Sequence, residues 1–182
     1  MNAKKTLRLF IKQRLAETTP QQRAEWSAQL SARLVCHPRF AAAKTVMLYH
    51  ALPDEPSLDR VLKEWHKRKV LLLPGVVGDD LHLHPYEGTD DIATGAFGIK
   101  EPTTPEWTAL SNIDLIVVPA RAYDAMGHRL GRGKGYYDRF LSRPELHAAY
   151  TLGLAFPFQM VDAVPTEPHD CTLNEVLSLT ET

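Results

Sequence analysis

The sequence predicts an α/β fold: a single-domain layered sheet, mostly parallel, with flanking helices and an N-terminal helical hairpin. Two amphipathic helical patterns open the chain. Short apolar runs then alternate with further helical patterns, which is the order of elements in a parallel sheet covered by helices. A length of 182 residues is a common size for one domain, so residues 1–182 are expected to form one.

The first helix is predicted over residues 4–17, where apolar side chains recur on one helical face. These side chains are Leu7, Phe10, Ile11 and Leu15, and basic residues surround them. Thr19 then provides an N-cap, Pro20 occupies the first helical position and Gln22 completes a capping box. A second helix therefore follows at once, and the two helices form the predicted hairpin.

A strand, a helix and a second strand are predicted next. Residues 46–49 form an apolar run, a helical face follows over residues 58–65, and a second apolar run over residues 70–73 ends at Pro74. Apolar and polar side chains alternate over residues 81–86, which is typical of a half-exposed strand. Further strands are predicted over three apolar runs, residues 113–118, 151–156 and 176–179.

The loops that leave these strands predict the place of a functional site. In a parallel sheet, ligands bind beyond the carboxyl ends of the strands. Residues 50–55, 74–78 and 119–135 each follow the carboxyl end of a predicted strand. We therefore expect these three segments to converge on one rim of the sheet.

The most informative of these loops continues through residues 129–138, RLGRGKGYYD, and combines glycines with cations and a carboxylate. The glycines are Gly131, Gly133 and Gly135, and the cations are Arg129, Arg132 and Lys134. Glycines allow backbone N–H groups to approach a ligand closely, and the cations add positive charge. A helix is predicted to begin at Tyr136, so a bound anion would also meet a helix N-terminus. This combination favours a polyphosphate ligand.

Two known phosphate-binding motifs differ from this loop. A Walker A loop needs Ser or Thr after Gly-Lys, whereas Gly135 follows Lys134, so Asp138 is the candidate metal ligand in place of that hydroxyl. The glycine spacing G-x-G-x-G also departs from the dinucleotide pattern G-x-G-x-x-G, which argues against a Rossmann dehydrogenase. A glycine-rich surface turn with solvated cations stays open as an alternative.

The composition is that of an ordinary soluble protein, with 44% hydrophobic and 24% charged residues and a formal net charge of −1. No nucleic acid partner is expected, although cations and aromatics alternate in residues 132–137 and leave an RNA-binding role as the second class of function. Cys36 and Cys171 lack metal-ligand spacing and are expected to be buried free thiols. We expect a cytoplasmic monomer without membrane segments.

Five stretches of the sequence resemble the 5-formyltetrahydrofolate cyclo-ligases, also called 5,10-methenyltetrahydrofolate synthetases. They are residues 4–8 (KKTLR), 52–55 (LPDE), 69–74 (KVLLLP), 95–102 (GAFGIKEP) and 131–139 (GRGKGYYDR). The last stretch is highly specific, and the order and spacing of the others extend the resemblance over nearly the whole chain. The chain is therefore identified as a member of this family.

The resemblance implies an ATP-dependent ring closure. In this reaction 5-formyltetrahydrofolate becomes 5,10-methenyltetrahydrofolate, and ADP and phosphate are released with Mg²⁺ present. In the mechanism attached to the family, the formyl oxygen attacks the γ-phosphate to give a phosphorylated imidate, and N10 closes the ring as phosphate leaves. The cations of residues 129–134 suit this chemistry because charge on the transferred phosphoryl group must be stabilised.

The resemblance also implies the roles of individual residues. Lys134 and Arg132 would be the catalytic cations. Nucleotide contacts would be Lys4, Lys5, Thr6, Leu7, Arg8, Arg129, Leu130, Gly131, Arg132, Gly133, Lys134, Gly135, Tyr136 and Tyr137. Folate contacts would be His50, Glu55, Arg132, Gly133, Lys134, Gly135 and Tyr136, and the Mg²⁺ ligands would be Asp138 and Asp170. The ring of Tyr136 suits a pterin, and Glu55 can accept hydrogen bonds from pterin N–H groups.

Several of these residues also have an alternative interpretation in which they have no functional role. Lys4 and Arg8 alone form an i, i+4 pair on a solvated helix face, and Asp138 in a first helical turn complements the helix dipole. Asp170 can be a cap or turn residue, and Glu55 an exposed loop carboxylate. Asp138 is expected near the surface, so that Asp138→Asn would cost little stability.

Overall fold

The computed structural model describes residues 2–88, 92–94 and 100–179, with only the backbone of residues 92–94 and 100–102. The stretch of residues 95–102 that resembles the cyclo-ligases therefore lies largely outside the described residues. The described helices are α1 (Ala3–Ala16), α2 (Pro20–Cys36), α3 (Pro38–Ala42), α4 (Asp59–Trp65) and α5 (Tyr136–Leu141). The described strands are β1 (Thr45–Met47), β2 (Val70–Val77), β3 (Asp80–Pro85), β4 (Ile92–Thr94), β5 (Lys100–Pro102), β6 (Leu115–Val118), β7 (Ala122–Tyr123), β8 (Arg129–Leu130), β9 (Tyr150–Ala155) and β10 (Glu175–Ser178).

The central sheet has six strands in the order β10-β9-β6-β1-β2-β3. All neighbouring pairs are parallel except β2 and β3, which pair antiparallel at one edge. Val46 of β1 lies opposite Leu71 of β2 on one side and Leu115 of β6 on the other. The predicted mostly parallel sheet is therefore confirmed. Strands β4 and β5, and β7 and β8, form two separate antiparallel hairpins.

The sheet is covered on both faces, which explains why its central strands are apolar at every position. All four residues of β6 are buried, and their side chains alternate between two clusters. Leu115 and Val117 pack with residues of α2, α3 and α4, whereas Ile116 and Val118 pack with Phe140 of α5. The sheet thus lies between helices on its two faces, which confirms the predicted layered arrangement.

Local capping signals set the start of the two N-terminal helices. Asn2 caps α1 by accepting a hydrogen bond from the Lys4 N–H at 2.9 Å. Thr19 and Gln22 form the predicted capping box at α2, with hydrogen bonds of 3.1 and 2.8 Å. Ile11 of α1 belongs to the same buried cluster as residues of α2. The predicted bounds of α1 and the predicted start of α2 are therefore confirmed to within about one residue.

The prediction that the strand ends at Pro74 is wrong, because β2 continues to Val77. The Leu48 N–H donates to the Leu72 carbonyl, and the Tyr86 N–H donates to the Leu71 carbonyl, so successive residues of β2 alternate between β1 and β3. By this alternation, the nitrogen of Pro74, which carries no hydrogen, faces the side of β1. At this level β1 has already ended. A proline is tolerated there because no hydrogen bond of the sheet is lost.

The prediction of buried thiols is also wrong. Both cysteines are free, but Cys36 is exposed and Cys171 is partly exposed. Cys36 is the last residue of α2, on its solvent side, and Cys171 lies in the loop before β10. Within the described ranges, no helix is both long and apolar enough to cross a bilayer.

Candidate active site

A cavity of about 550 Å³ lies beyond the carboxyl ends of β1 and β6, which is a usual size for a small-molecule site. Residues that follow β1, residues near the turn between β2 and β3, and residues that follow β6 all line it. The predicted convergence of these three segments is therefore confirmed. The start of α1 and residues 167–170 complete the wall, although they are distant from the loops in sequence.

The glycine loop, residues 131–135, forms one side of the cavity between β8 and α5. Gly133 has φ +98° and Gly135 has φ +71°, which are conformations that side-chain-bearing residues rarely adopt. Gly135 is also the N-cap of α5, and a Cβ there would lie 2.8 Å from Nη1 of Arg139. Two of the three glycines are therefore required by the backbone itself.

Two cations in the cavity wall have no carboxylate partner among the described residues. Arg8 of α1 donates from Nε to the carbonyl of Gly131 at 2.9 Å, and its guanidinium lies beside Gly133. Lys134 is exposed at the tip of the loop. Since no described carboxylate neutralises either side chain, both can place positive charge on an anionic ligand.

Arg129 and Asp138 form a largely buried pair under the loop. Arg129 is 3% exposed and contacts Asp138 Oδ1 through Nη2 at 2.5 Å. The Cys171 N–H donates to the same carboxylate oxygen at 3.0 Å. Asp138 is 18% exposed, so it is more buried than the predicted place near the surface: one of its carboxylate oxygens contacts Arg129 of β8. Nε of Arg129 has no hydrogen-bond partner in the described part of the chain.

A second ion-pair group joins α1 to the loop before β10. Lys4 Nζ lies 2.6 Å from Asp170 Oδ2 and 2.7 Å from Glu167 Oε2. The Glu167 N–H also donates to Asp170 Oδ2 at 2.7 Å. Burial opposes the charge of Asp170, but the hydrogen bonds from Lys4 and Glu167 outweigh it and lower the pKa of Asp170. The same contacts outweigh burial of Lys4 and raise its pKa.

Glu55 and Arg132 meet at the opposite side of the cavity. Arg132 donates to Glu55 Oε1 from Nη2 at 2.9 Å and from Nε at 3.3 Å. The Leu52 N–H donates to Glu55 Oε2 at 3.0 Å, and the Glu55 side chain is 6% exposed. Glu55 is therefore a fixed, buried carboxylate and not the exposed loop residue of the alternative interpretation. The two residues expected to share the folate are in direct contact.

Aromatic side chains and a histidine complete the same wall. Tyr136 lines the cavity, with the guanidinium of Arg139 at 5.5 Å from its ring centroid. Burial, and then the negative charge of Glu55, raise the pKa of Tyr137, so its hydroxyl stays protonated at neutral pH. His50 also lines the cavity.

Comparison with known proteins identifies the family of this chain. The sequence profile of the 5-formyltetrahydrofolate cyclo-ligase family matches residues 1–179. The chain belongs to this family. The mouse 5-formyltetrahydrofolate cyclo-ligase is 30% identical over 97% of this chain and 93% of its own. The enzyme of the same name from Escherichia coli K12 is 29% identical over 93% and 96%.

Solved structures of the family have the same fold as this cyclo-ligase chain. The NMR structure of 5,10-methenyltetrahydrofolate synthetase from Aquifex aeolicus has a TM-score of 0.85 and 31% identity, and the match covers 96% of this chain and 89% of that one. The synthetase from Mycoplasma pneumoniae has a TM-score of 0.70 and 25% identity, with 97% and 98% covered. The predicted family and fold class are therefore confirmed.

Three of the residues that the family resemblance assigned to the nucleotide do not line the cavity. Lys5 and Thr6 are exposed on α1, and Leu7 packs against the buried cluster of Ile11. Their side chains point away because Lys4 and Arg8, one helical turn apart, occupy the face towards the cavity. Their role as nucleotide contacts stays a prediction. The other assigned residues all line the cavity.

Four charged residues of the site's surroundings were not predicted from the sequence. Asp54 contacts Arg132, and Arg121 contacts Asp54. Glu167 contacts Lys4, and Arg139 donates to the carbonyl of Lys134 at 3.0 Å. Asp54 precedes Glu55 directly, and Arg139 ends the stretch of residues 131–139, so both had a local signal. Arg121 and Glu167 had none.

Proposed function

We propose that this protein catalyses the ATP-dependent conversion of 5-formyltetrahydrofolate to 5,10-methenyltetrahydrofolate, with release of ADP and phosphate. The contact between Arg132 of the glycine loop and buried Glu55 is the main support for this proposal. Both residues line one cavity, and we propose that the carboxylate binds the pterin and that the cation binds phosphate. Such a cavity can bring a folate formyl group and a γ-phosphate together, as the reaction requires.

The nucleotide would bind along the glycine loop. Arg8 and Lys134 offer charge that no described carboxylate neutralises, and Arg129 offers a buried Nε without a partner. The positive φ angles of Gly133 and Gly135 leave the loop backbone open to close approach. These features fit a polyphosphate.

Asp138 and Asp170 would hold Mg²⁺, and their chemistry fits a hard cation that prefers carboxylate oxygens. Both residues line the cavity. In each carboxylate one oxygen accepts hydrogen bonds, Oδ1 of Asp138 and Oδ2 of Asp170. The other oxygen of each accepts none from a described residue. When bound, Mg²⁺ would neutralise charge on the phosphate oxygens.

The folate would bind at the wall formed by His50, Glu55 and Tyr136. Glu55 would accept hydrogen bonds from N–H groups of the pterin, since its carboxylate is fixed by the Leu52 N–H. Tyr136 would offer its ring face to the substrate. The protonated hydroxyl of Tyr137 adds a polar group beside Glu55.

The reaction would then take place in two steps. The formyl oxygen attacks the γ-phosphorus, the bond to the ADP oxygen breaks, and a phosphorylated imidate forms. N10 adds to the activated carbon and loses its proton, and the C–O bond breaks to release phosphate with the former formyl oxygen. Lys134 and Arg132 would stabilise negative charge on the phosphoryl oxygens in both steps.

The test is the absorbance of the methenyl product, with purified protein, 5-formyltetrahydrofolate and Mg²⁺, in the presence and absence of ATP. We expect product only with ATP. Lys134→Ala should lower turnover about 100-fold, the size of loss typical for a removed charge-stabilising contact. Lys67→Ala, which removes an exposed lysine after α4, is the matched control and should retain turnover. Absence of product with the folded wild-type protein would overturn the proposal.

A further inference from the structure

Asp54 contacts two arginines at the edge of the candidate active site. Its Oδ1 lies 2.5 Å from Nη2 of Arg132, and its Oδ2 lies 2.7 Å from Nη1 of Arg121. The Asp54 side chain is 13% exposed, whereas the side chains of Arg121 and Arg132 are 25% and 34% exposed, so the carboxylate is largely buried between two partly exposed arginines. Each carboxylate oxygen therefore has one arginine as its partner.

The backbone beside Asp54 is fixed as well. Gln159, which is 1% exposed, donates from Nε2 to the carbonyl of Asp54 at 3.5 Å and to the carbonyl of Ala120 at 3.1 Å. Asp54 is thereby connected to the segment that follows β6, through Gln159 and through Arg121. A carboxylate with these contacts has little freedom to follow a moving partner.

The contacts of Arg132 leave one nitrogen of its guanidinium, Nη1, available to a ligand. Nε donates to Glu55 and Nη2 donates to both Asp54 and Glu55, whereas Nη1 has no acceptor among the residues that the structure describes. A guanidinium is planar, so acceptors held at Nε and Nη2 also set the direction of the N–H groups of Nη1. Asp54 and Glu55 together determine where the Nη1 donors of Arg132 point.

The two carboxylates differ in what a folate would do to them. Glu55 would share its oxygens with the pterin, which weakens its contact with Arg132, whereas Asp54 does not line the cavity. Arg132 would then keep Asp54 as its undisturbed partner. Two arginines and two carboxylates also balance in charge, so no charge of this group is left uncompensated before a ligand arrives.

We propose that Asp54 is a positioning residue for the reaction: it is anchored by Arg121 and keeps Arg132 oriented towards the phosphoryl group while Glu55 binds the folate. The inference rests on the proposed function, because it assigns the orientation of a cation that acts in that reaction. It concerns residues 54 and 121, neither of which lines the cavity.

The test is a double-mutant cycle of Asp54→Asn and Arg132→Gln, with kcat and both KM values measured. Asp54→Asn alone should lower kcat about tenfold or more, since small misplacements of catalytic groups cost factors of this order. In the Arg132→Gln background, the same change should alter kcat by less than about twofold, because residues that act as one unit are not additive. Arg121→Gln should have a smaller effect of the same kind.

Glu64→Gln is the matched control, since it removes an exposed carboxylate that contacts Arg60 at 2.7 Å away from the cavity. It should leave kcat unchanged. Equal losses from Asp54→Asn in both backgrounds would overturn the inference and indicate a purely structural role. If Asp54→Asn does not fold, the cycle is run with Arg121→Gln, and additivity there overturns the inference too. A wild-type protein without turnover would overturn the proposed function instead.

Discussion

Lys134 and Arg8 differ from the other cations of the cavity in having no described carboxylate partner. Lys4, Arg129 and Arg132 are each within 3 Å of a carboxylate oxygen. The charges of the paired cations are compensated before a ligand arrives, and the two cations without acidic partners remain to bind one. A single glycine loop thus contains residues of both kinds.

Asp138 is expected to serve both stability and metal binding. Asp138→Asn removes the charge that balances buried Arg129, so we expect the free energy of unfolding to fall by about 3 kcal/mol, as for other broken buried pairs. The Mg²⁺ concentration needed for half-maximal turnover should rise. Urea unfolding and a Mg²⁺ titration measure the two effects.

Asp59→Asn is the control for the stability effect, since Asp59 also lies in the first turn of a helix but is 55% exposed. It should change stability by less than about 0.5 kcal/mol. Equal losses in the two variants would mean that Asp138 acts only on the helix dipole. An unchanged Mg²⁺ titration for Asp138→Asn would contradict its assignment as a ligand.

At the scale of elements, the hairpin of β7 and β8 depends on one buried carboxylate. Asp124 accepts hydrogen bonds from the N–H groups of Met126, His128 and Val164, each at 3.0 Å, and from Nδ1 of His128 at 2.9 Å. Burial opposes its charge, but the hydrogen bonds from Val164 and His128 outweigh it and lower the pKa of Asp124. The hairpin that leads into the glycine loop is therefore fixed by an ionised residue.

This contact predicts how stability depends on pH. A carboxylate whose pKa is lower in the folded state stabilises the protein above its ordinary pKa of 3.8, and the contribution is lost as the pH falls through the folded value. Asp124→Asn should lower the free energy of unfolding at pH 7 by about 3 kcal/mol. It should also make the decline of stability below about pH 4 shallower than in the wild type.

Urea unfolding at pH 7, 5 and 3 measures both effects. Asp162→Asn is the control, because Asp162 is an exposed carboxylate in the segment next to Val164. It should leave the stability and its acid slope unchanged. An acid slope of Asp124→Asn equal to that of the wild type would show that Asp124 does not contribute to the pH dependence.

The sequence predicted those elements whose signals are local. The bounds of α1 were predicted from the spacing of its apolar side chains, and the start of α2 from Thr19 and Gln22, which act within one turn of helix. The hairpin of β7 and β8 was missed because strands of two residues have no periodicity. The continuation of β2 past Pro74 was missed because a proline is tolerated only where its nitrogen faces no neighbouring strand. The sequence does not show which side of the strand lacks a neighbour.

At the scale of the whole molecule, the parallel sheet explains how the site is assembled. The convergence of the loops after β1 and β6 was predictable, since strand direction alone determines it. The individual contacts were not. Lys4 and Asp170 are separated by 166 residues, and Arg132 and Glu55 by 77. Such pairs depend on the final packing of the chain, and a single sequence has no signal for them.

The proposed reaction requires that the formyl oxygen attacks the γ-phosphorus of ATP within one cavity. The most direct test is to follow the formyl oxygen into the products. The substrate is 5-formyltetrahydrofolate labelled with ¹⁸O in the formyl group, incubated with ATP, Mg²⁺ and the wild-type protein. Mass spectrometry of the released phosphate then measures the label. Attack by the formyl oxygen predicts one ¹⁸O in each phosphate per methenyl product formed. Unlabelled phosphate alongside methenyl product would contradict the phosphorylated intermediate.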